Sequence, residues 1–256
     1  MSALDGLLLE RVRGLWETVS GVPVTFPPPG SPAAIVTAPG SGLCPPAWVG
    51  IVSLGRSALV TAPDAAVART LRQALSSVPD DALTCPDTVR SVLPVAEVLG
   101  PATLAYVTEG TFRPVPDEGD VEHLSVDDPA VSAFLEAAGP TDAEESGLAE
   151  VTSPVFVLRT RSGPPLLAAA GYRRWPCRTA HLCVLTAPER RGQGLARRVA
   201  SAAVAHALTA GLLPQWRARP AASRRVARAL GFREVGSQLS VRPELAHRPT
   251  GVTEGT

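Results

Sequence analysis

A turn rich in arginine and glycine separates an aliphatic run from a predicted helix in the C-terminal half of the chain. The run covers residues 182–186, and the turn at 188–194 leads directly into the helix. Backbone N–H groups at a helix start have no intrahelical partner and lie at the positive end of the helix dipole. Gly192 and Gly194 lack the Cβ atoms that would keep a ligand's oxygens away from those groups. The arrangement therefore predicts a site for phosphate.

The residues of this turn exclude two common phosphate-binding motifs. A dinucleotide-binding G-x-G-x-x-G motif fails because Arg197 occupies the position of the third glycine. A Walker A loop requires a lysine, and the chain contains no lysine. The pattern that remains is R-x-x-G-x-A, formed by Arg191, Gly194 and Ala196.

The elements that must position this turn follow from hydrophobic periodicity. The helix after the turn begins at Leu195 and ends before Gly211, and Gly231 is expected to cap the next helix. Asp127 or Asp128 is expected to cap an earlier helix. A polar, acidic segment at 141–150 is predicted as a short helix and loop. Strands are predicted at 121–126, 155–160, 166–172, 179–186, 212–217, 232–235 and 238–241.

The first part of the chain predicts a mixed α/β unit without a chemical motif. An amphipathic helix is expected from Leu4 to Val19, and a second helix is expected after Asp64. Proline and glycine make residues 113–120 the best candidate for a linker. Strands are predicted at 34–37, 48–54, 58–61 and 103–108.

The charge of the chain is segregated between its two halves. The formal net charge is zero, but residues 1–150 hold 7 Arg against 20 Asp and Glu, whereas residues 151–256 hold 17 Arg against 4 acids. The basic half suits a polyanionic ligand such as a nucleotide cofactor or a nucleic acid. Attraction between the two halves is an alternative reason for the segregation.

Composition predicts a globular, cytoplasmic protein. Hydrophobic residues make up 45% of the chain and charged residues 19%, which is ordinary for a soluble protein. No run approaches the roughly 18 apolar residues of a membrane span, and no secretory signal is recognisable. The four cysteines, at 44, 85, 177 and 183, have no metal-ligand spacing, so we expect reduced thiols and no metal site.

The sequence around the R-x-x-G-x-A motif resembles the Gcn5-related N-acetyltransferase (GNAT) superfamily, whose signature is Arg or Gln, two residues, Gly, one residue, then Gly or Ala. The resemblance includes the preceding strand and the sequence A-L-G-F at 229–232. Six further residues are similar to the branch that includes zwittermicin-resistance type acetyltransferases: Leu213, Pro214, Trp216, Ser223, Val226 and Ala227.

The resemblance implies an α/β (α+β) fold, in which a mixed, mostly antiparallel sheet is flanked by helices. The GNAT domain would span 116–245, after a smaller N-terminal α/β domain at 1–115 and before a loose tail at 246–256. It also implies acetyl-CoA as co-substrate, with its pyrophosphate on the turn and its pantetheine arm along a strand that splays from its neighbour. The implied cofactor-binding residues are Cys183, Val184, Leu185, Arg191, Gly192, Gln193, Gly194, Leu195, Ala196 and Ser223.

The catalytic residues are less well marked than the cofactor site. By the resemblance, Ala227 stands where many relatives have a tyrosine acid, and Pro220 replaces an asparagine that often begins the same helix. Glu145 lies in the segment where relatives form an acceptor-binding loop, together with Glu144 and Glu150. We therefore take Glu145 as the candidate general base.

His181 is a second candidate for the base. Strand alternation puts His181 on the face of Cys183 and Leu185, whereas the family's catalytic strand residues fall on the face of Leu182 and Val184. This argument ranks His181 below Glu145. Deprotonation through water, without a dedicated base, is also compatible with the sequence.

These observations predict an N-acetyltransferase in which a small-molecule or peptide amine attacks the thioester of acetyl-CoA directly. The acidic first half favours a cationic acceptor. A non-catalytic acyl-CoA-binding or regulatory module is the alternative, since Ala227 and Pro220 remove polar groups near the chemistry. Nucleic acid is disfavoured as a partner because aromatic residues make up only 4% of the chain. We expect no membrane partner, and a homodimer is left open.

Overall fold

The computed structural model describes residues 3–116, 119–160 and 163–244. Its helices are α1 (Ala3–Val19), α2 (Ala65–Ala74), α3 (Pro86–Val92), α4 (Pro129–Ala138), α5 (Pro140–Ser146), α6 (Leu195–Thr209) and α7 (Ala221–Ala229). Its strands are β1 (Ala34–Thr37), β2 (Val49–Leu54), β3 (Ala58–Ala62), β4 (Val95–Tyr106), β5 (Glu122–Leu124), β6 (Val155–Thr160), β7 (Gly163–Trp175), β8 (Thr179–Thr186), β9 (Leu213–Ala218) and β10 (Arg233–Pro243). Short 3-10 helices cover Leu148–Glu150 and Pro188–Arg190.

The chain divides into two compact units at positions other than the predicted boundary at residue 115. The larger unit comprises Met1–Val19 and Ala102–Ser237, and the smaller comprises Ser20–Pro101 and Gln238–Thr256. The opening helix therefore groups with the C-terminal half, and a separate domain at 1–115 is not confirmed. The tail predicted at 246–256 lies outside the described residues.

Several predicted elements differ from the observed ones at Pro and Gly positions. The sequence analysis predicts no helix at α3, and β4 begins at Val95 rather than at the predicted Thr103, continuing through Gly100 and Pro101. The two last strands predicted from the sequence are one strand, β10, which continues through Gly236. The second half of β10 supplies Leu239 and Val241 to the core of the smaller unit.

In the larger unit, six strands form a mixed sheet between helices. They lie in the order β4, β9, β8, β7, β6, β5, and only β8 and β9 are parallel neighbours. Alternate residues of β8 enter different cores: Leu182 packs with Val199 of α6, whereas Cys183 packs with Phe134 of α4. This mixed, mostly antiparallel sheet with helices on both faces agrees with the fold class expected for the C-terminal half.

The smaller unit contains the predicted hairpin of β2 and β3. These strands pair antiparallel, and β1 adds to β3 in parallel. The N-terminus of α2 is capped by Asp64, whose carboxylate accepts from the N–H groups of Ala66 and Val67 at 2.8 Å. Leu239 of β10 joins the core of this unit. None of these residues forms a recognisable reactive cluster.

Local capping signals are confirmed on both sides of the larger unit's sheet. Asp128 caps α4 by accepting from Ala130 N–H at 2.8 Å. Helix α7 ends in a Schellman motif, in which the N–H of Gly231 bonds to Arg228 O and that of Phe232 bonds to Ala227 O, both at 3.0 Å.

The segment predicted as a linker is fastened to the larger unit. Arg113 N–H donates to Leu230 O at 3.0 Å, and Val115 N–H donates to Ser201 Oγ at 2.9 Å. Residues 117 and 118 lie outside the described ranges. The described part of 113–120 is therefore packed against α6 and the end of α7.

Gly231→Ala tests the close packing at the end of α7. Gly231 has φ +89°, and an added Cβ would lie 1.9 Å from Thr111 O. We expect the free energy of unfolding to fall by about 1 to 2 kcal/mol from the left-handed backbone and by a further ~1 to 3 kcal/mol from the clash. Urea unfolding measures this change. Gly110→Ala is the matched control because its Cβ would meet open space, and equal stability of the two variants would contradict the prediction.

Candidate functional site

Strand β8 separates from β9 halfway along its length. It pairs with β7 from Thr179 to Thr186, but its register with β9 covers only three residues and ends at His181 opposite Gln215. Alternate residues of a strand direct their N–H and C=O groups to each side, so the second half of β8 presents unpaired backbone toward β9. Residues 183–185, predicted to hold a pantetheine arm, lie in this half.

The turn after β8 has the geometry of an anion site. Gly192 and Gly194 have φ +81° and +78°, and a Cβ on either would point into open space. Within the described residues, the N–H groups of 192–196 make no backbone hydrogen bond, whereas Arg197 N–H already bonds to Gly194 O at 3.1 Å. Five exposed N–H groups at the start of α6 are thus available to a diphosphate.

One arginine in the turn and one in the first turn of α6 form ion pairs with carboxylates. Arg191 donates to Asp142 of α5 at 2.5 Å, and Arg198 donates to Asp120. Arg197 and Arg190 are exposed. Arg197 is therefore a more accessible cation for phosphate than Arg191, whose guanidinium is shared with Asp142.

Helix α5 carries Glu145, the candidate base, close to both strand ends. Glu145 forms an ion pair with Arg219 at 3.2 Å, just after β9, while Asp142, three residues earlier, pairs with Arg191 after β8. The last turn also approaches β8, since a Cβ added to Gly147 would lie 3.3 Å from Cys183 Sγ. Glu145 therefore lies on a helix that approaches the ends of both strands, and its carboxylate has an arginine partner.

Cys183 is not a nucleophile in this site. Its side chain is 3% exposed, and burial, with a contribution from Glu150, raises the pKa of its thiol to about 12. The thiolate is therefore scarcely populated near neutral pH. This favours direct transfer over an acyl-cysteine intermediate.

The face of β8 that carries His181 and Cys183 is the face covered by α5. The family resemblance assigns catalytic residues to the other face of β8, which carries Leu182 and Val184. In the structure, Leu182 and Val184 pack against the core that includes α6. His181 is partly buried, and its Nδ1 lies 2.9 Å from Gln215 Oε1. Burial, followed by Arg217, lowers its pKa to about 3. His181 is therefore neutral near neutral pH.

The positions that the resemblance associated with the acid contain no hydroxyl. Ala227 is buried in the core beside Trp216 and Phe232, and Pro220 occupies the N-cap of α7. Ser223 Oγ accepts from Trp216 Nε1 at 2.9 Å, which leaves its own proton free to be donated.

Tyr172 and His206 are packing residues on the opposite face of the sheet. Tyr172 is fully buried, its Oη lies 3.0 Å from His206 Nδ1, and the His206 ring lies 5.5 Å from that of Phe156. Within the described ranges, no group of His, Cys, Asp or Glu could hold a metal ion. No helix there is both long and apolar enough to cross a bilayer.

A family model described as GNAT acetyltransferase matches residues 178–237. The match supports the GNAT superfamily. It covers β8, the turn, α6, β9 and α7, which are the elements that form the strand opening and its anion site. A search of curated proteins finds no match.

Solved GNAT structures resemble the chain at low sequence identity. A GNAT-family acetyltransferase from Colwellia psychrerythraea is 16% identical, with 94% of this chain and 97% of that chain covered and a TM-score of 0.50. A GNAT-family protein from Novosphingobium aromaticivorans is 24% identical over 57% of this chain, with a TM-score of 0.45, and the match spans 65% of that protein's length. The yncA protein of Salmonella typhimurium, solved with acetyl-CoA, is 18% identical over 49% of this chain and 95% of that chain, with a TM-score of 0.35. At these identities the Colwellia structure supports the fold.

The decrease in the free energy of unfolding at acidic pH should depend on the lowered pKa of His181. An unfolded imidazole takes up a proton below about pH 6.5, but the folded one does not until about pH 3. The free energy of unfolding should therefore fall as pH falls through this window. We expect His181→Gln to lose less stability than the wild type between about pH 7.5 and about pH 5 in urea unfolding. His206→Gln is the control, and an unchanged pH dependence in His181→Gln would contradict the assignment.

Asp142→Asn tests whether the carboxylate of Asp142 competes with a ligand for Arg191. An exposed ion pair is worth roughly 0.4 to 1 kcal/mol when its geometry is good, so its removal should raise the affinity for coenzyme A by about two- to fivefold. Isothermal titration calorimetry measures the affinity. Glu122→Gln, which removes the remote Arg159 partner at 3.1 Å, is the matched control. Weaker binding by Asp142→Asn would show that the pair supports the site instead.

Proposed function

We propose that the protein is an acetyl-CoA-dependent N-acetyltransferase. The observation that carries the proposal is the opening between β8 and β9, which leads to five ligand-accessible N–H groups at the start of α6. A pantetheine arm contains amides that suit unpaired strand backbone, and a diphosphate suits a helix N-terminus. The family match to residues 178–237 includes both features and supports an acyltransferase.

We propose the same cofactor-binding residues as the sequence predicts. The structure adds that Arg191 shares its guanidinium with a carboxylate. Residues 192–196 would bind the pyrophosphate through N–H groups, and residues 183–185 would contact the pantetheine arm. Ser223 would donate its hydroxyl proton while accepting from Trp216. Arg197, just after the motif, is more accessible to phosphate than Arg191 and Arg198, because both of these have carboxylate partners.

The proposed reaction is direct attack of an amine on the thioester of acetyl-CoA. Acetyl-CoA supplies an activated acetyl group, and backbone N–H groups of β8 would polarise its carbonyl. The buried, protonated thiol of Cys183 favours direct attack. Glu145 remains the proposed general base, with Arg219 as the group that positions its carboxylate.

The acceptor is proposed to be a small-molecule or peptide amine. The acidic first half of the chain favours a cationic acceptor over long distances. The residues Leu213, Pro214, Trp216 and Ser223 support the zwittermicin-resistance type branch. We also propose a GNAT domain at 116–245 and a cytoplasmic location, and we leave a homodimer open.

Thiol release from acetyl-CoA, measured over a panel of amines, tests the function. Turnover on one amine class together with coenzyme A binding would support the enzyme. Tight coenzyme A binding without turnover on any amine would instead support the acyl-CoA-binding module, which the apolar Ala227 and the capping Pro220 favour. Absence of coenzyme A binding would contradict both.

Gly194→Ala tests the anion site in the turn. Gly194 has φ +78°, so alanine would strain the backbone by about 1 to 2 kcal/mol and place a methyl where the diphosphate approaches. We expect coenzyme A affinity to fall at least about tenfold, equivalent to about 1.4 kcal/mol. Calorimetry measures the affinity. Gly163→Ala is the matched control, because Gly163 also has positive φ and open space around its Cβ.

Glu145→Gln tests the general base. Loss of the carboxylate should lower kcat by about 10²-fold while coenzyme A affinity stays within about twofold. Glu144→Gln, an exposed acid on the same helix, is the control. Full activity of Glu145→Gln would exclude Glu145 as the base and leave water or another residue in that role.

A further inference from the structure

A buried chain of hydrogen bonds crosses the larger unit and ends at His181. Trp16 of α1 donates from Nε1 to Tyr106 Oη at 3.0 Å, and Gln215 Nε2 donates to the same oxygen at 2.8 Å. Gln215 Oε1 lies 2.9 Å from His181 Nδ1. Trp16, Tyr106 and Gln215 are each 0% exposed. A buried chain of polar groups that bond to one another orients its members strongly.

The orientation of the Gln215 amide favours one tautomer of His181. Because Gln215 uses its amide nitrogen toward Tyr106, only its oxygen faces His181. An oxygen can only accept, so Nδ1 is the protonated nitrogen and Nε2 keeps its lone pair. Trp175 stacks on the imidazole at 4.5 Å between ring centroids with 20° between planes, which restrains rotation of the ring.

His181 lies at the point where the strands separate. It is the last residue of β8 in register with β9, and Gln215 is its partner across the two strands. Its side of β8 is the side of Cys183, which lies close to Gly147 at the end of α5. If the pantetheine arm of acetyl-CoA follows the open half of β8, its thioester would lie beside His181. The segment at 141–150, which includes α5, would then cover the thioester.

We propose that Nε2 of His181 accepts a hydrogen bond from the acceptor amine at the thioester, and that Gln215, Tyr106 and Trp16 are positioning residues for it. The proposal rests on the proposed N-acetyltransferase function and adds a residue that touches the acceptor. The amine's own lone pair is then directed at the carbonyl carbon. Glu145 retains its separate proposed role in removing the proton.

The step balances with Glu145 as the proposed base, which takes the proton that nitrogen loses and returns it to the thiolate directly or through solvent. The amine nitrogen forms a bond to the carbonyl carbon, and the C–S bond breaks with its electron pair on sulfur. Nitrogen loses one proton and sulfur gains one, so the products are an amide and a thiol. His181 donates no electrons to carbon and keeps its neutral form throughout the step.

The charged surroundings of His181 favour a neutral imidazole. Arg217 and Arg173 both lower its pKa, and the Arg217 guanidinium carbon lies 5.8 Å from the Trp175 ring centroid. Glu150 pairs with Arg173, while Cys183 and Tyr106 remain protonated because burial raises the pKa of each. A neutral imidazole keeps the Nε2 lone pair that accepts an N–H hydrogen bond, and the attacking amine must itself be uncharged because its own lone pair forms the new bond.

Nitrogen-15 NMR of the full-length protein tests the tautomer without any substrate. Long-range proton–nitrogen correlations distinguish a protonated Nδ1 from a protonated Nε2, and His181→Gln assigns the signal by its disappearance. We expect Nδ1 protonated and Nε2 unprotonated, with no change from about pH 8 to about pH 5. A protonated Nε2, or an imidazolium at about pH 6, would overturn the proposal.

Steady-state kinetics with acetyl-CoA and the best amine of the panel test the role. His181→Gln should lower kcat about 10²-fold while coenzyme A affinity stays within about twofold, since misplaced reactants lose about this much rate. His206→Gln, which affects the opposite face, should retain wild-type kcat. Wild-type kcat in His181→Gln would overturn the proposal while leaving the N-acetyltransferase function intact. Absence of turnover by the wild type on every amine would instead overturn the function and this role together.

Tyr106→Phe tests the positioning chain, and it serves equally if His181→Gln does not fold. It keeps the buried ring and removes the oxygen that receives Trp16 and Gln215. We expect a mixture of His181 tautomers by NMR and a kcat about tenfold lower, with the KM for acetyl-CoA unchanged. An unaltered tautomer and unaltered kcat would show that Tyr106 only packs.

Discussion

The incomplete pairing of β8 with β9 is the constraint on which the site depends. Parallel strands inside a sheet normally continue their ladder, because unpaired backbone groups are costly when they leave water. Here the ladder ends at His181 opposite Gln215, although β8 continues for five more residues. The open half requires either solvent or a ligand that carries its own amides. The turn at Gly192 and Gly194 then adds N–H groups for an anion at the far end of the same opening.

The acidic helix α5 is paired with the chain that follows each of the two strands of this opening. Asp142 pairs with Arg191 beyond β8, and Glu145 pairs with Arg219 beyond β9. Exposed ion pairs of this kind contribute little individually, but they determine where a short helix lies. The sequence shows only a cluster of acidic residues in this segment. In the structure, the carboxylates of Asp142 and Glu145 each have an arginine partner. The reactivity of Glu145 therefore depends on Arg219 as well as on solvent.

The buried polar chain from Trp16 to His181 explains why α1 groups with the C-terminal half. Trp16 supplies the first donor of the chain, and its bond to Tyr106 joins residues 90 positions apart. Leu15 and Val12 of α1 are likewise almost fully buried. The opening helix thus contributes to the orientation of His181 rather than to a separate N-terminal domain.

Local chemistry in the sequence was sufficient to predict much of the secondary structure and the positive-φ glycines of the turn after β8. Strands β6 and β8 were predicted with their observed bounds, and Asp128 and Gly231 were recognised as caps, because alternation and capping depend on residues a few positions apart. Predictions that rest on nearby residues are wrong where the structure depends on residues far apart in the chain. The single strand β10 and the grouping of α1 depend on distant partners.

By itself, the sequence determined the motif of Arg191, Gly194 and Ala196, the absence of a hydroxyl at Ala227, and the elements on either side of the turn. Only the tertiary structure decided that α5 covers the face of His181, that Asp142 holds Arg191, and that the amide oxygen of Gln215 lies beside Nδ1 of the imidazole. Periodicity assigns residues to two faces of a strand, but it does not say what packs on each face. That choice belongs to contacts between residues far apart in the chain.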